Sequence, residues 1–214
     1  MLRLNPASTI RLLVAASMPL VRVSAAFAAE ADTEKIQAQP LDVSVQPGEL
    51  VGHEQVIRQF ITLGTNQLLV VPPPNVRSES AGPETLLWSS SEGNCRIECR
   101  IFGPVSAAEE SKWTQALKRT ALENHGTARS IEQTSTAVLG HGAERLQFRE
   151  TLPGLGERLF RFVWVPCAAG ILEFTLNVSA DRSAVGVQTL DNLLLDLRSN
   201  ERGKIEIVRR LSKS

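Results

Sequence analysis

Tyrosine is absent from this chain, and histidine, cysteine and tryptophan each occur only three times. So few imidazoles and thiols leave little material for a metal centre, which would need several of them to converge. Neither charge is in excess, with 23 basic and 23 acidic side chains, whereas a dedicated nucleic-acid binder shows a strong basic surplus on one face. A GxSxG elbow and a local cysteine-hydrolase signature are both missing, so no nucleophile is marked beside an activating base. No apolar run approaches the ~20 residues that a transmembrane helix requires. The missing tyrosine also weighs against an aromatic ligand groove, because tyrosine is favoured where a wet surface meets an apolar one. Internal repeats and low-complexity tracts are absent as well.

What is present begins with an export signal. Arg3 and Arg11 make a positive segment, residues 12–21 supply a short apolar stretch, and Ala26-Phe27-Ala28 is an A-x-A pattern that a signal peptidase would cut before Ala29. The apolar stretch is too short to span a bilayer, and no cysteine follows it to carry a lipid anchor. The chain is therefore expected in the periplasm or outside the cell. Removing residues 1–28 takes away Arg3, Arg11 and Arg22 and no acid, leaving 20 basic against 23 acidic groups and a net charge of −3. The remaining 186 residues suit one domain able to bury roughly 70% of its unfolded surface without disulfides.

In an oxidising compartment Cys95, Cys99 and Cys167 are permitted to pair, with one thiol left over. Extended backbone puts the alpha carbons of Cys95 and Cys99 ~13 Å apart, beyond disulfide reach. The plain expectation is two core thiols on an inward face. A bridge from one of them to Cys167, or a metal or reactive site, remains the alternative.

Residues 29–54 are polar and carry Pro40, Pro47 and Gly48, and read as a flexible leader. The domain is expected over residues 55–199. Residues 56–63 and 68–71 form a hairpin that ends at Pro72-Pro73-Pro74, with a loop over 75–83. Strands follow at 84–89 and 95–102, the second alternating Cys95, Ile97, Cys99 and Ile101 with Arg96, Glu98 and Arg100. Ser106 and Glu109 then read as a capping box for a helix with Trp113, Ala116, Leu117, Thr120 and Ala121 on one side, stopped at Gly126.

Further strands are expected near 128–138, 143–150, 157–165 and 171–179. In the third of these Phe160, Phe162 and Trp164 share one face and Leu159, Val163 and Val165 the other, around Arg161, so both faces should be covered. A last helix over 183–198 carries Val187, Leu190, Leu193, Leu194 and Leu197 as its apolar stripe. Residues 200–214 form a basic tail. The class is α+β: an antiparallel sheet of about six to eight strands with two main helices packed against it.

This order resembles the Mog1/PsbP-like fold family, which includes bacterial exported PsbP-like proteins. Carrying the resemblance are Leu68-Leu69-Val70-Val71-Pro72-Pro73-Pro74, the helix at Ser111-Lys112-Trp113-Thr114-Gln115-Ala116-Leu117, the strand from Gly170 to Val178 and the helix from Leu190 to Arg198. The chain has Asn75-Val76 where many bacterial members place a Gly-Trp pair. The resemblance implies binding or accessory work with no common enzymatic activity, and no functional residue is carried over from it.

Of the candidate chemical groups, His53, His125 and His141 are spread over the leader, a helix end and a turn, and a metal site would need His141 to meet a carboxylate such as Glu144. His125 beside Gly126 reads as an imidazole near a helix C-terminus. Glu109 and Glu110 read as acids complementing a helix start. Gly154 and Gly156 join two strands, which does not make a phosphate loop. Trp88, Trp113, Trp164, Phe148, Phe160, Phe162 and Phe174 are expected in the core. From Arg198 onward the bases Arg198, Arg202, Lys204, Arg209, Arg210 and Lys213 outnumber Glu201 and Glu206 by four, a solvated run or a contact for an acidic partner or an anionic lipid surface.

No catalytic, cofactor or metal residue is therefore assigned. The leading expectation is a non-enzymatic accessory protein that contacts another envelope or secreted protein. The alternative is a module binding a small apolar ligand between sheet and helices. Expressed with residues 1–28 in a bacterium, the chain is expected outside the cytoplasm with an intact mass beginning at Ala29, and a mass that retains Met1 would refute the cut.

Overall fold

The computed structural model describes residues 36–51, 54–63, 66–73, 76–90, 94–167, 169–201 and 204–205. The export segment, its cut site and most of the basic tail lie outside these residues. In chain order the first strands are β1 (Asp42–Val51), β2 (Glu54–Leu63), β3 (Asn66–Val70), β4 (Arg77–Gly82), β5 (Thr85–Ser90) and β6 (Cys95–Phe102). Helix α1 (Glu110–Asn124) precedes β7 (Arg129–Val138), β8 (His141–Leu152), β9 (Gly156–Cys167) and β10 (Gly170–Ser179). A 3-10 turn, Ala180–Arg182, leads into α2 (Ser183–Asp196), β11 (Arg198–Glu201) and β12 (Lys204–Ile205).

Seven strands make one antiparallel sheet in the order β4-β5-β6-β10-β9-β8-β7. Because successive side chains of a strand point to opposite faces, β10 sends Leu172, Phe174, Leu176 and Val178 one way. These pack with Ile97, Cys99 and Ile101 of β6 and with Leu190, Leu193 and Leu194 of α2. On the opposite face Ile171 meets Phe160, Phe162 and Trp164 of β9 and Trp113, Leu117 and Ala121 of α1. The two helices thus cover opposite faces, and β9 is buried from Arg158 to Val165. Burying each such apolar side chain fully is worth about 1.5–3 kcal/mol.

Two polar contacts tie the layers together. Buried Arg161 donates from Nε to Gln147 Oε1 at 2.8 Å and from Nη1 to Asp191 Oδ1 on α2 at 3.1 Å. The second sheet, β1-β2-β3-β11-β12, joins the α2-side core through Ile61, Leu68 and Val70. Gln59 of β2, also buried, accepts from Trp88 Nε1 at 2.8 Å and donates to Ser78 of β4.

Three segments differ from the sequence expectation. Most of the expected leader is ordered: β1 pairs with β2 from Asp42 to Val51, and Ala38 bridges to Phe102. The expected loop contains β4, an edge strand whose described side chains are mostly exposed, so it carries no apolar pattern to read. The expected tail begins within β11, which pairs with β3. In all three, pairing with another strand, the next one along the chain for β1 and β4 and the remote β3 for β11, supplies what local composition does not. Among the described residues Cys95, Cys99 and Cys167 form no disulfide with one another, so the alternative of a bridge to Cys167 is not realised. Burial pushes the Cys95 thiol up to about 11 and that of Cys99 higher still.

Gly170 opens β10 at φ +135°, and a methyl group there would run into the Phe102 carbonyl oxygen. Gly170→Ala is expected to lower stability by about 2 kcal/mol or more. Urea denaturation measures it, and an unchanged midpoint would contradict the close approach.

Candidate functional site

The face of β10 turned toward α1 carries Glu173, Thr175 and Asn177 beyond Ile171. Register places these between β6 and β9 in three cross-strand rows: Arg100, Glu173 and Trp164; Glu98, Thr175 and Phe162; Arg96, Asn177 and Phe160. Each row runs from charged through polar to aromatic. Helix α1 lays its apolar stripe over the aromatic end, so the polar end is left as the wall of a cleft. The cleft has a volume of about 350 Å³, with Leu117, Thr120, Ala121 and Asn124 of α1 on its opposite side.

On the polar wall Glu98 accepts from Arg96 Nε at 2.9 Å and from Arg100 Nη2 at 2.8 Å. Glu173 is 6% exposed and accepts from Trp164 Nε1 at 2.9 Å. Its burial pushes the carboxyl above the usual range, against the opposing pull of the Trp164 bond and of Arg100. Among the described residues, two buried side-chain polar atoms lack a hydrogen-bond partner, Arg100 Nε and Thr175 Oγ1. Both belong to residues that line this cleft.

The far end is closed by His125, the residue after α1. Its backbone N–H donates to Leu122 O, as a helix-end residue should, but its side chain has a partner that sequence reading missed. His125 Nδ1 lies 2.6 Å from Glu150 Oε2, and Thr127 Oγ1 donates to Glu150 Oε1 at 2.6 Å. The imidazole centroid stands 4.4 Å from that of Phe160 and 5.0 Å from that of Phe148. Burial opposes ionisation of Glu150, but the bonds from Thr127 and His125 outweigh it and hold the carboxyl below the usual range.

The other sequence candidates fall elsewhere. His141 and Glu144 are three residues apart on β8 and so point to opposite faces; Glu144 pairs with Lys118 of α1. No group of three or more His, Cys, Asp or Glu is placed to hold a metal among the described residues, and His53 lies outside them. The capping box does not form as expected. Glu109 is the residue preceding the helix, and the Ser106 hydroxyl donates to its carboxylate at 2.6 Å, while the Ser106 carbonyl accepts from the Glu109 and Glu110 amides. Cys167 packs on the α2 face, across the sheet from His125. Phe160 and Phe162 are core residues that also line the cleft. Sequence showed an apolar stripe on α1 and two apolar faces on β9 without pairing them; packing of that stripe on the aromatic face brings α1 over the polar side of β10 and makes it the cleft wall.

Since the folded Glu150 carboxyl titrates below its ordinary value, its contribution to stability is present above pH ~4.3 and is lost as pH falls through the folded value. Glu150→Gln is expected to cost about 1–3 kcal/mol at pH 7, with the gap to the parent closing toward pH 3. Chemical denaturation at a series of pH values measures this, and a gap that widens on acidification would contradict it.

No protein-family model and no curated protein matches the sequence. Among solved structures the chain is similar to LpqN of Mycobacterium tuberculosis, described as involved in cell envelope biogenesis. Identity is 13%, the TM-score is 0.45, and the match covers 74% of this chain and 92% of that one. It is also similar to the cyanobacterial PsbP (CyanoP) of Synechocystis, at 12% identity and a TM-score of 0.43 over 70% of this chain and 96% of that one.

Proposed function

We propose that this chain is an exported accessory protein that works by binding, and that the cleft beneath α1 holds a small ligand. The observation that carries this reading is the cleft itself: about 350 Å³, walled by Phe160 and Phe162 on one side and by Arg100, Glu173 and Thr175 on the other. An apolar body with a few converging polar groups is the usual make-up of a small-molecule site. Export rests on residues 1–28, and among the described residues no helix is long and apolar enough to cross a membrane. Hydrolytic use of His125 would require a nucleophile bonded to the imidazole. The nearby Thr127 hydroxyl is instead engaged with Glu150, which favours binding over catalysis.

Contact with another envelope or secreted protein has its own support in β7. It is the last strand of its sheet, and its side chains are exposed from Arg129 to Ser135, so its free edge is able to accept a partner strand.

Naphthalene-based probes of differing charge test the cleft. At least one is expected to bind with a Kd of about millimolar or better and to shift the amide resonances of Leu117, Ala121, Phe160 and Phe162. Thr120→Trp, a substitution at an exposed position on the cleft rim, should abolish those shifts while leaving the rest of the spectrum in place. Shifts confined to another surface, or binding unaffected by the tryptophan, would sink the reading.

A further inference from the structure

A buried polar atom without a partner is destabilising, since it gives up its bonds to water and makes none in return. Here two such atoms fall in one cleft, and they are of compatible kind. Arg100 Nε is a donor with no accepting capacity, and the Thr175 hydroxyl is able to donate. Register makes the two residues diagonal neighbours on one face, because Thr175 stands opposite Glu98 and Arg100 lies two residues beyond it. That spacing is ~7–8 Å between backbones, within reach of a long side chain.

We infer that the cleft takes a ligand bearing a carboxylate on an aromatic or apolar body, with Arg100 and Thr175 receiving the carboxylate and Phe160 and Phe162 the body. This rests on the cleft being a ligand site, as proposed above. Charge on the polar wall points the same way. The Glu98 carboxylate is shared by the Arg96 and Arg100 guanidiniums, so this trio keeps one positive charge in excess. The other carboxyl, Glu173, accepts from Trp164 and is driven toward its neutral form by burial. A carboxylate offsets the excess charge and accepts from both orphan donors. An ammonium ligand would face the guanidiniums, and a carboxamide would bring donors of its own to a wall already short of acceptors. Phe160 and Phe162 are flanked on the same sheet face by Phe148 and Trp164 at ring separations of 5.5 and 5.6 Å, which gives a continuous apolar floor for the body.

Three probes of one shape decide it: 2-naphthoate, 2-naphthamide and 2-naphthylmethylammonium, titrated into the chain by calorimetry and followed at the cleft amides. Naphthoate is expected to bind at least about tenfold more tightly than the amide, the ordinary advantage of charge-assisted hydrogen bonds, and the ammonium more weakly than either. Arg100→Gln and the near-isosteric Thr175→Val should each reduce that preference severalfold and change amide binding by no more than about twofold, with the fold confirmed by the amide spectrum. An amide or ammonium that matches naphthoate, or a preference that survives both substitutions, overturns the carboxylate assignment and leaves the cleft a ligand site. Failure of all three probes to shift the cleft amides overturns the ligand site itself, and this inference with it.

Discussion

Everything in this domain depends on the β6-β10-β9 ladder being covered on both faces. A strand buried on one side has a free polar face, and water satisfies whatever stands there. Here α2 and the second sheet occupy one face while α1 reaches over the other, so residues that alternate as polar in sequence are drawn partly out of water. The register of the ladder then decides which polar groups become neighbours. Arg100 meets Glu173, Glu98 meets Thr175 and Arg96 meets Asn177, and none of these pairs is close in sequence.

The cost of placing charge beneath a helix is met unevenly. Glu98 satisfies two arginines at once, and the indole N–H of Trp164 satisfies Glu173. At the other end Glu150 collects the Thr127 hydroxyl and the His125 ring. Between these well-bonded ends remain the Arg100 Nε and Thr175 Oγ1 atoms. A wholly structural polar network has every member paired, since a half-satisfied one is less stable than an apolar core. Unpaired groups concentrated in one cleft are the arrangement expected of a surface shaped for something other than its own folding.

Legibility followed local periodicity. Residues 95–102 alternate so regularly that the strand read from sequence coincides with β6, and the stripes of Trp113 with Leu117 and of Leu190 with Leu194 found α1 and α2 within a few residues. The edge strand β4 escaped notice because its described side chains are mostly exposed, and the late strand β11 because its sequence, Arg198-Ser199-Asn200-Glu201, holds no apolar residue; their order comes from partners such as Ser89 and Leu69. In β1, Val43 and Val45 do alternate, but two valines among prolines and polar residues say little until β2 lies alongside. The His125 and Glu150 pair escaped for a different reason. Its members are 25 residues apart, and nothing in either neighbourhood announces the other.

By itself the sequence determined the class: period-two segments around two amphipathic helices are able to bury their apolar sides only as a sheet with helices against it. It also determined that β9 is covered on both faces, since Phe160, Phe162 and Trp164 oppose Leu159, Val163 and Val165. Tertiary structure alone decided which face each helix took, and so which polar row became a cleft wall. The physical reason is that alternation along one strand defines two faces without naming their occupants. Occupancy is settled by register between segments far apart in the chain, where backbone pairing and side-chain packing are satisfied together.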